Sequence, residues 1–227
     1  MIIQRINLST DIQISSPVVV IDVLRAFTTA AYIFAAGAED ITLVSTVEEA
    51  FQLKNTHPDY LLAGELNTHP IEGFDFGNAP SAFLSANLHG KHLIQRTSCG
   101  TQGVAQALNA SDILLGNLCC ASATVRYITQ HRWPTLTFNE TGVRTGGLGD
   151  EDCACADLLE AMLNGKQINP AEIIRRVRES EVGLMFDGSR ADLPPLDIEL
   201  ATAIDRFDFA IQVTRQNGLA IATPLYI

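Results

Sequence analysis

The amino-acid sequence predicts an α/β protein with a three-layer α/β/α architecture and a mostly parallel sheet. Apolar segments of strand length alternate with segments of helical character along residues 17–164. Most strand segments are almost continuously apolar, as at 18–21, and strands of that kind are buried on both faces. Alternating strands and helices are typical of a parallel sheet that helices cover on both sides.

Local signals place the elements of the first half of the chain. The predicted elements are a strand at 17–23, a helix at 25–36, a strand at 40–45, a helix at 46–55 and a strand at 59–65. Gly37 is the expected C′ residue of the first helix, because glycine readily adopts the left-handed conformation that ends helices. Thr46 and Glu49 have the spacing of a capping box at the start of the second helix. Residues 66–80 are rich in Gly, Pro, Asn and Asp, and an irregular loop of that length is often functional.

The second half continues the alternation and then changes character. The predicted strands lie at 91–95, 112–117 and 134–139, and a loop is predicted at 140–152. The predicted helices are a short one at 81–88, one that follows the turn at 96–103 and runs to about residue 109, and others at 121–130, 151–164, 169–180 and 196–206. Asn217-Gly218 is a strong signal of a β-hairpin between two strands. We expect residues 208–225 to form a C-terminal hairpin extension on one edge of the sheet, within a single domain covering 1–227.

Composition limits the classes of function. The chain has 227 residues, of which 47% are apolar and 18% charged, as in a globular protein with a sizeable core. Its net charge of −11 repels nucleic acids and anionic membranes, so neither is an expected partner. The N-terminus lacks a signal-peptide pattern, and we expect a cytoplasmic protein. Five cysteines without a CxxC pair indicate reduced, mostly buried thiols. A homodimer is expected on frequency alone.

Polar residues follow most of the predicted strands. These are Asp22 and Arg25, Glu65, Arg96 with TSCGT (97–101), Asn117, and Asn139 with Glu140. In an open parallel sheet, ligands bind outside the carboxyl ends of the strands. We therefore expect one cleft to hold most of these side chains.

Carboxylates and arginines near this edge suit a phosphate bound through a metal ion. Asp22, Glu65 and Asp75 offer oxygen ligands of the kind that Mg²⁺ prefers. Arg25 and Arg96 are candidates for bidentate phosphate binding. Each has an alternative role: Asp22 as a helix N-cap, Asp75 as a turn residue, and the arginines as surface ion pairs.

The segment TSCGT (97–101) opens a helix and is rich in hydroxyl groups. Backbone N–H groups at a helix start favour an anion, although helix capping is the more frequent reason for such a sequence. A helix start also lowers a thiol pKa and would favour a nucleophilic Cys99. The residue five positions later is Val104 rather than an arginine, so a cysteine-dependent phosphatase loop is not favoured.

Six motifs in order resemble the 2-phosphosulfolactate phosphatases. They are VVVIDVLRAFTTA (18–30), GE (64–65), GFDFGNAPS (73–81), TSCGT (97–101), EDCACA (151–156) and LDIELATAIDRFDFAIQV (196–213). The resemblance implies a three-layer α/β fold and Mg²⁺-dependent hydrolysis of 2-phosphosulfolactate to sulfolactate and phosphate. That reaction belongs to coenzyme M biosynthesis in methanogens, and the family also occurs in bacteria without that route. The implied partner is a small phosphorylated acid.

The resemblance also implies a set of site residues. The implied metal ligands are Asp22, Glu65, Asp75 and Asp152, of which Asp22 and Glu65 are the implied catalytic residues. The residues implied to bind substrate are Arg25, Thr28, Thr29, Asn78, Arg96, Thr97, Ser98, Cys99, Gly100 and Thr101. The loop GGLGDED (146–152), with Glu151, would complete the pocket.

Two positions depart from the family pattern. The family usually has arginine where this chain has Leu66, and asparagine where it has Cys99. Losing an arginine from an anion pocket typically removes a contact worth about 1.5–3 kcal/mol. The alternative function is therefore a divergent protein that binds a small anion with little or no catalysis.

Overall fold

The computed structural model of the chain describes residues 1–142 and 149–227, so part of the loop predicted at 140–152 lies outside the described residues. The strands are β1 (Ile2–Ile6), β2 (Val18–Ile21), β3 (Asp40–Val44), β4 (Leu61–Leu66), β5 (His69–Pro70), β6 (His92–Arg96), β7 (Ile113–Gly116), β8 (Thr135–Glu140), β9 (Ala210–Gln216) and β10 (Leu219–Leu225). The helices are α1 (Ala26–Ala35), α2 (Val47–Thr56), α3 (Gly100–Gln106), α4 (Ala121–His131), α5 (Asp150–Leu163), α6 (Pro170–Glu179) and α7 (Pro195–Ala201). Short 3₁₀ helices lie at Pro80–Phe83, Leu118–Cys120 and Gly183–Met185.

The strands form a sheet in the order β1-β8-β2-β7-β9-β10-β3-β6-β4-β5. Strands β1, β8, β2 and β7 form one parallel block, and β3, β6 and β4 form another. Hydrophobic clusters that include helical residues lie on both faces, which confirms the predicted three-layer α/β/α architecture.

The predicted C-terminal hairpin is confirmed, but its predicted position at an edge is wrong. β9 pairs with β7 and β10 pairs with β3, both antiparallel, so the hairpin joins the two parallel blocks in the middle of the sheet. The buried residues of β9 explain this position. Adjacent Ala210 and Ile211 belong to clusters on opposite faces, and a strand covered on both faces has no place at an open edge.

The antiparallel pairings make the two parallel blocks run in opposite directions along the sheet. The ends of β2 and β4 nevertheless lie at the same cavity. The expected meeting of strand ends therefore occurs for β2 and β4, whereas the polar residues that follow β7 and β8 are not among the described residues that line this cavity.

Helix α1 lies inside the molecule and begins at the end of β2. Its sequence AFTTAAYIFA has no charged residue, and all its residues from Ala26 to Phe34 are buried. The Asp22 side chain fixes its start, because Oδ1 accepts the Ala26 N–H at 2.9 Å. Gly37, with φ of 101°, follows its last turn and donates its N–H to the Phe34 carbonyl, which confirms the predicted end.

Other local predictions have mixed outcomes. The capping box is confirmed, since Glu49 N–H donates to Thr46 Oγ1 and Thr46 N–H donates to Glu49 Oε2, both at 3.1 Å. Strand β1 was not predicted, because Ile6 is its only buried residue. The predicted irregular loop at 66–80 contains β5, and the helix predicted at 196–206 ends at Ala201.

The expectation of mostly buried thiols is confirmed for three of the five cysteines. All five lie within the described residues and form no disulfide, and Cys119, Cys120 and Cys155 are buried. Burial raises the pKa of these three thiols. Within 1–142 and 149–227, no helix has both the length and the apolar character needed to cross a membrane.

Candidate active site

A cavity of about 310 Å³ lies where β2 and β4 end and α3 and α5 begin. The residues that line it are Asp22, Leu24, Arg25, Glu65, Asn67, Thr68, Asn78, Ser98, Cys99, Gly142, Glu151, Asp152, Glu181, Val182, Met185, Phe186 and Leu193. One wall is acidic and the segment 182–193 supplies an apolar wall. Polar side chains thus line one side of the cavity, and apolar side chains that exclude water line the other.

Asp22 ends the buried strand β2 and forms part of the acidic wall. Its Oδ1 accepts the Ala26 N–H, and Thr141 Oγ1 lies 3.4 Å from its Oδ2. Burial, together with the charges of Glu65 and Glu151, raises the pKa of Asp22 to about 7. Asp22 therefore serves as the helix cap that the sequence allowed and also lines the cavity.

Two further carboxylates come from the first turn of α5. Asp152 Oδ1 accepts the Val23 N–H at 2.8 Å, and its Oδ2 accepts the Gly142 N–H at 2.7 Å. Burial and the charges of Glu151 and Asp22 raise the pKa of Asp152 well above its ordinary value. Burial also raises the pKa of Glu151, whose Oε2 has no hydrogen-bond partner among the described residues.

Glu65 is held against the segment that precedes α3. Its Oε1 accepts the Ser98 N–H at 2.6 Å, and its Oε2 accepts Ser98 O–H at 3.0 Å and the Thr68 N–H at 2.6 Å. The preceding Gly64 has φ of 144°, and a Cβ there would lie 1.9 Å from the Arg96 carbonyl oxygen. Only glycine lets β4 approach β6 this closely, and this approach brings Glu65 to Ser98.

The turn after Glu65 is strained. Asn67 and Thr68 have φ of 52° and 68°, and they form the two-residue turn between β4 and β5. Two positive φ values are typical of a type I′ hairpin turn, which favours Asn followed by Gly. A β-branched residue such as Thr68 in this conformation costs of order 1–3 kcal/mol. Sequence analysis missed this turn, since Asn-Thr is not a usual hairpin pair.

Arg25 lies in the cavity wall with its charge already paired. Its NH1 donates to Asp197 Oδ2 at 2.7 Å and to the Asp192 carbonyl at 2.8 Å. Its guanidinium carbon lies 5.3 Å from the centre of the Phe186 ring. Sequence analysis did not single out Asp197, although the motif LDIELA that contains it was part of the resemblance.

Several predicted substrate-binding hydroxyls are used inside the fold. Thr28 Oγ1 donates to the Val23 carbonyl at 2.7 Å, and Thr29 Oγ1 donates to the Asn78 carbonyl at 3.1 Å. Thr97 and Thr101 bind each other, each N–H donating to the other's hydroxyl. These four threonines are not among the described residues that line the cavity, whereas Asn78 is.

The segment around the start of α3 packs closely against the cavity wall. Ser98 and Cys99 line the cavity. A Cβ on Gly100 would lie 2.9 Å from Asp22 Oδ2 and 2.6 Å from the Ala26 side chain, so a larger residue would displace Asp22. Arg96 donates to the Glu65 carbonyl at 2.9 Å and is not among the described lining residues.

Asp75 and the polar residues of other strand ends lie away from the cavity. Asp75 accepts the Leu62 N–H at 2.8 Å, near the start of β4 rather than its end. Asn117 caps the 3₁₀ helix that follows β7, because its Oδ1 accepts the Cys120 N–H at 3.0 Å. Asn139 donates to Gln106 at 2.9 Å, and Glu140 lies 3.5 Å from Arg5. These contacts stabilise the fold.

The acidic wall suits a cation by its chemistry. The described residues contain no group of three or more Asp, Glu, His or Cys side chains arranged as a metal site. Asp22, Glu65, Glu151 and Asp152 nevertheless offer oxygen donors to one cavity, and Glu151 Oε2 has no described partner. The charge of Arg25 is paired with Asp197, so no described arginine balances these acids. Hard cations such as Mg²⁺ fit this donor set.

Comparison with known proteins identifies the family. A family model described as 2-phosphosulpholactate phosphatase matches residues 3–180. A Bacillus subtilis protein named "Probable 2-phosphosulfolactate phosphatase" is 37% identical over 202 residues, 88% of this chain and 87% of that protein. Proteins of the same name are 40% identical over 121 residues in Caldanaerobacter subterraneus (52% of this chain, 50% of that protein) and 30% identical over 165 residues in Synechocystis sp. (72% and 68%). The chain therefore belongs to the 2-phosphosulpholactate phosphatase family of phosphoric monoester hydrolases.

Proposed function

We propose that the protein is a Mg²⁺-dependent phosphatase acting on the phosphate monoester of a small sulfonated or carboxylated hydroxyacid. The proposed reaction converts 2-phosphosulfolactate to sulfolactate and phosphate, as the names of its relatives suggest for those proteins. The observation that carries the proposal is the gathering of Asp22, Glu65, Glu151 and Asp152 around one cavity.

Asp22, Glu65, Glu151 and Asp152 are the proposed ligands of the metal ion. Bound Mg²⁺ would supply a Lewis acid for phosphate oxygens and lower the pKa of a bound water. Ser98 holds Glu65 in place with two hydrogen bonds, and the Val23 and Gly142 N–H groups do the same for Asp152. These bonds fix the carboxylates before substrate arrives, which reduces the reorganisation needed in the transition state.

Other residues would orient the substrate and exclude water. Asp22 and Glu65 are the proposed catalytic residues, because both line the cavity and would hold the metal ion that activates the attacking water. Arg25 lines the same cavity, and Asp197 and Phe186 hold its guanidinium. The apolar wall, which includes Phe186 and Leu193, would shield the phosphoryl group from bulk solvent.

A second candidate function is binding of a small anion without cleavage. Leu66 has no charge and is 41% exposed, whereas the resemblance predicts an arginine there. The charge of Arg25 is neutralised by Asp197 at 2.7 Å. Pairing of the Arg25 charge leaves less positive charge to stabilise a phosphoryl transition state, so turnover would fall. Leu66 adjoins Glu65 but is not among the described residues that line the cavity.

Phosphate release tests the proposal. The substrates are 2-phosphosulfolactate and phospholactate, each assayed with Mg²⁺ and with EDTA. We expect turnover that EDTA abolishes, and a loss in kcat/KM of at least about 100-fold in Asp22→Ala, because Asp22 is a proposed ligand. Asp59→Ala, which removes an exposed acid elsewhere, is the matched control.

Each outcome separates the two functions. Turnover that survives EDTA, or that Asp22→Ala retains, would contradict the proposed metal site. A wild-type protein that releases no phosphate but gains thermal stability with these anions would favour the binding protein. Leu66→Arg is then the first variant to assay, since it introduces the cation expected at this position.

A further inference from the structure

Arg190 joins two parts of the cavity rim that are far apart in the sequence. Its NH1 donates to Thr68 Oγ1 at 3.1 Å, and its NH2 donates to the Thr68 carbonyl at 3.0 Å. Asp192 holds the same guanidinium, accepting from Nε at 3.1 Å and from NH2 at 2.5 Å. The Asp192 carbonyl also accepts from Arg25 NH1 at 2.8 Å. A continuous set of hydrogen bonds therefore links Arg25 in the wall to the turn between β4 and β5.

The turn that Arg190 binds holds one oxygen of Glu65 directly and contacts Ser98, which binds both. The Thr68 N–H donates to Glu65 Oε2 at 2.6 Å, and the Asn67 N–H donates to Ser98 Oγ at 2.7 Å. Ser98 in turn binds both oxygens of Glu65. Because Thr68 is strained at φ of 68°, the turn persists only where surrounding contacts offset that strain. Arg190 binds both the hydroxyl and the carbonyl of this residue.

We propose that Arg190 is a positioning residue for the active site: it clamps the strained Thr68 turn and so fixes the Glu65 carboxylate. Arg190 is not among the described residues that line the cavity, and it acts through Thr68 rather than on substrate. The proposal rests on the proposed phosphatase function, in which Glu65 binds the metal ion. The residues that the family resemblance singles out do not include Arg190.

The clamp is tested by comparing the effect of Arg190→Ala on kcat/KM in two backgrounds, the wild type and Thr68→Gly. Arg190→Ala should lower kcat/KM about tenfold in the wild-type background, because the turn loses the contacts that offset its strain. Thr68→Gly removes that strain, since glycine adopts positive φ without steric cost and is favoured at this turn position. In the Thr68→Gly background, Arg190→Ala should therefore lower kcat/KM less than about threefold. Equal losses in both backgrounds would overturn the proposal.

Amide hydrogen exchange tests the same idea without catalysis. Arg190→Ala should speed exchange of the Thr68 amide about tenfold, because local opening becomes easier. Arg215→Ala, which removes an exposed arginine from β9, is the control and should leave this amide unchanged. Similar melting temperatures for the two variants would show that the effect is local.

The two measurements distinguish failure of the clamp from failure of the phosphatase. A wild-type protein without turnover, in which Arg190→Ala still speeds exchange at Thr68, would contradict the phosphatase and support the clamp. An active protein in which Arg190→Ala changes neither exchange nor kcat/KM would contradict the clamp alone.

Discussion

Single residues of this site combine structural and chemical roles. Asp22 starts α1 through its hydrogen bond to Ala26, and it also contributes a buried carboxylate to the cavity. Asp152 anchors the chain at Val23 and Gly142 and contributes another. Burial without a balancing charge disfavours the ionised form of these carboxyl groups. Their protonation therefore depends on pH and on nearby cations.

The raised pKa of Asp22 predicts how stability depends on pH in the metal-free protein. In the unfolded chain Asp22 ionises near its ordinary pKa of about 3.9, whereas in the folded protein its pKa is about 7. Its contribution to stability is therefore present below about pH 4 and lost as the pH rises through 7. In EDTA, we expect the melting temperature to fall between pH 4.5 and 7.5 by less in Asp22→Asn than in the wild type. Identical pH profiles for the two proteins would contradict this prediction, and Asp59→Asn is the control.

The close packing of Gly100 predicts a second effect at the residue scale. Gly100→Ala would place a methyl group 2.9 Å from Asp22 Oδ2, so either α3 or Asp22 must shift. We expect a loss of about 1–3 kcal/mol in the free energy of unfolding and a fall in kcat/KM of at least about tenfold. Gly77→Ala is the matched control, because a Cβ there meets no atom within 4 Å. Equal activity in both variants would exclude a need for close packing at Asp22.

At the scale of elements, α5 brings acids to the cavity and α6 holds α5 in place. Arg176 on α6 pairs with Asp150 and with Asp157, one at the start of α5 and one further along it. Asp150 immediately precedes Glu151 and Asp152. The first turn of α5 therefore depends on an ion pair from a neighbouring helix.

Removing this ion pair should loosen the acidic wall. Arg176→Ala is expected to lower the free energy of unfolding by about 1–2 kcal/mol, between the values for exposed and buried pairs. It should also lower kcat/KM several-fold, because Glu151 and Asp152 lose their fixed position. Arg175→Ala, whose pairs with Glu172 and Glu179 are exposed on the surface of α6, should leave the free energy of unfolding nearly unchanged. Equal losses of stability and activity for the two arginines would contradict the prediction; urea unfolding and steady-state kinetics measure them.

At the scale of the whole molecule, the β9–β10 hairpin holds the two parallel blocks together. β7 belongs to one block and β3 to the other, and each pairs with one strand of the hairpin. The strand ends that form the cavity come from both blocks, since Asp22 follows β2 and Glu65 ends β4. The proposed active site thus depends on a hairpin that contributes no described residue to the cavity wall.

This arrangement predicts that a mutation in the hairpin, distant from the cavity, strongly lowers the free energy of unfolding. Ile211→Ala in β9 should lower the free energy of unfolding by about 2–5 kcal/mol, because this side chain is fully buried. Ile2→Ala in β1, where the side chain is 65% exposed, should cost about 0.5 kcal/mol or less. Chemical denaturation of both variants measures the difference, and a similar cost at both positions would contradict a central hairpin.

The sequence predicted features that depend on neighbouring residues in the chain. Gly37 and the capping box of Thr46 are such features, and so is the fold class, because it follows from alternation along the chain. Strand ends also identified Asp22 and Glu65, which the structure brings to one cavity. Local patterns carried enough information for these predictions.

Features that depend on pairing between distant segments were not predictable in the same way. Asp75 lies within the motif GFDFGNAPS (73–81), yet its partner is Leu62, near the start of β4. Asp197 and Arg190 contact the lining residues Arg25 and Thr68 only because the chain returns to the cavity after α6. The central position of the hairpin likewise depends on which strands pair with it. The sequence of a hairpin does not indicate which strands lie beside it in the sheet.

The hairpin also bears on how the protein is made. The ribosome synthesises the chain from the N-terminus, so β3 and β7 emerge well before residues 210–225. Until then, β9 and β10 cannot pair with the edges of β7 and β3, and the apolar cluster that contains α1 lacks Ile211 and Ala222. Open edges and apolar surface invite association with other chains. We expect the nascent protein to need protection from aggregation until its last two strands emerge.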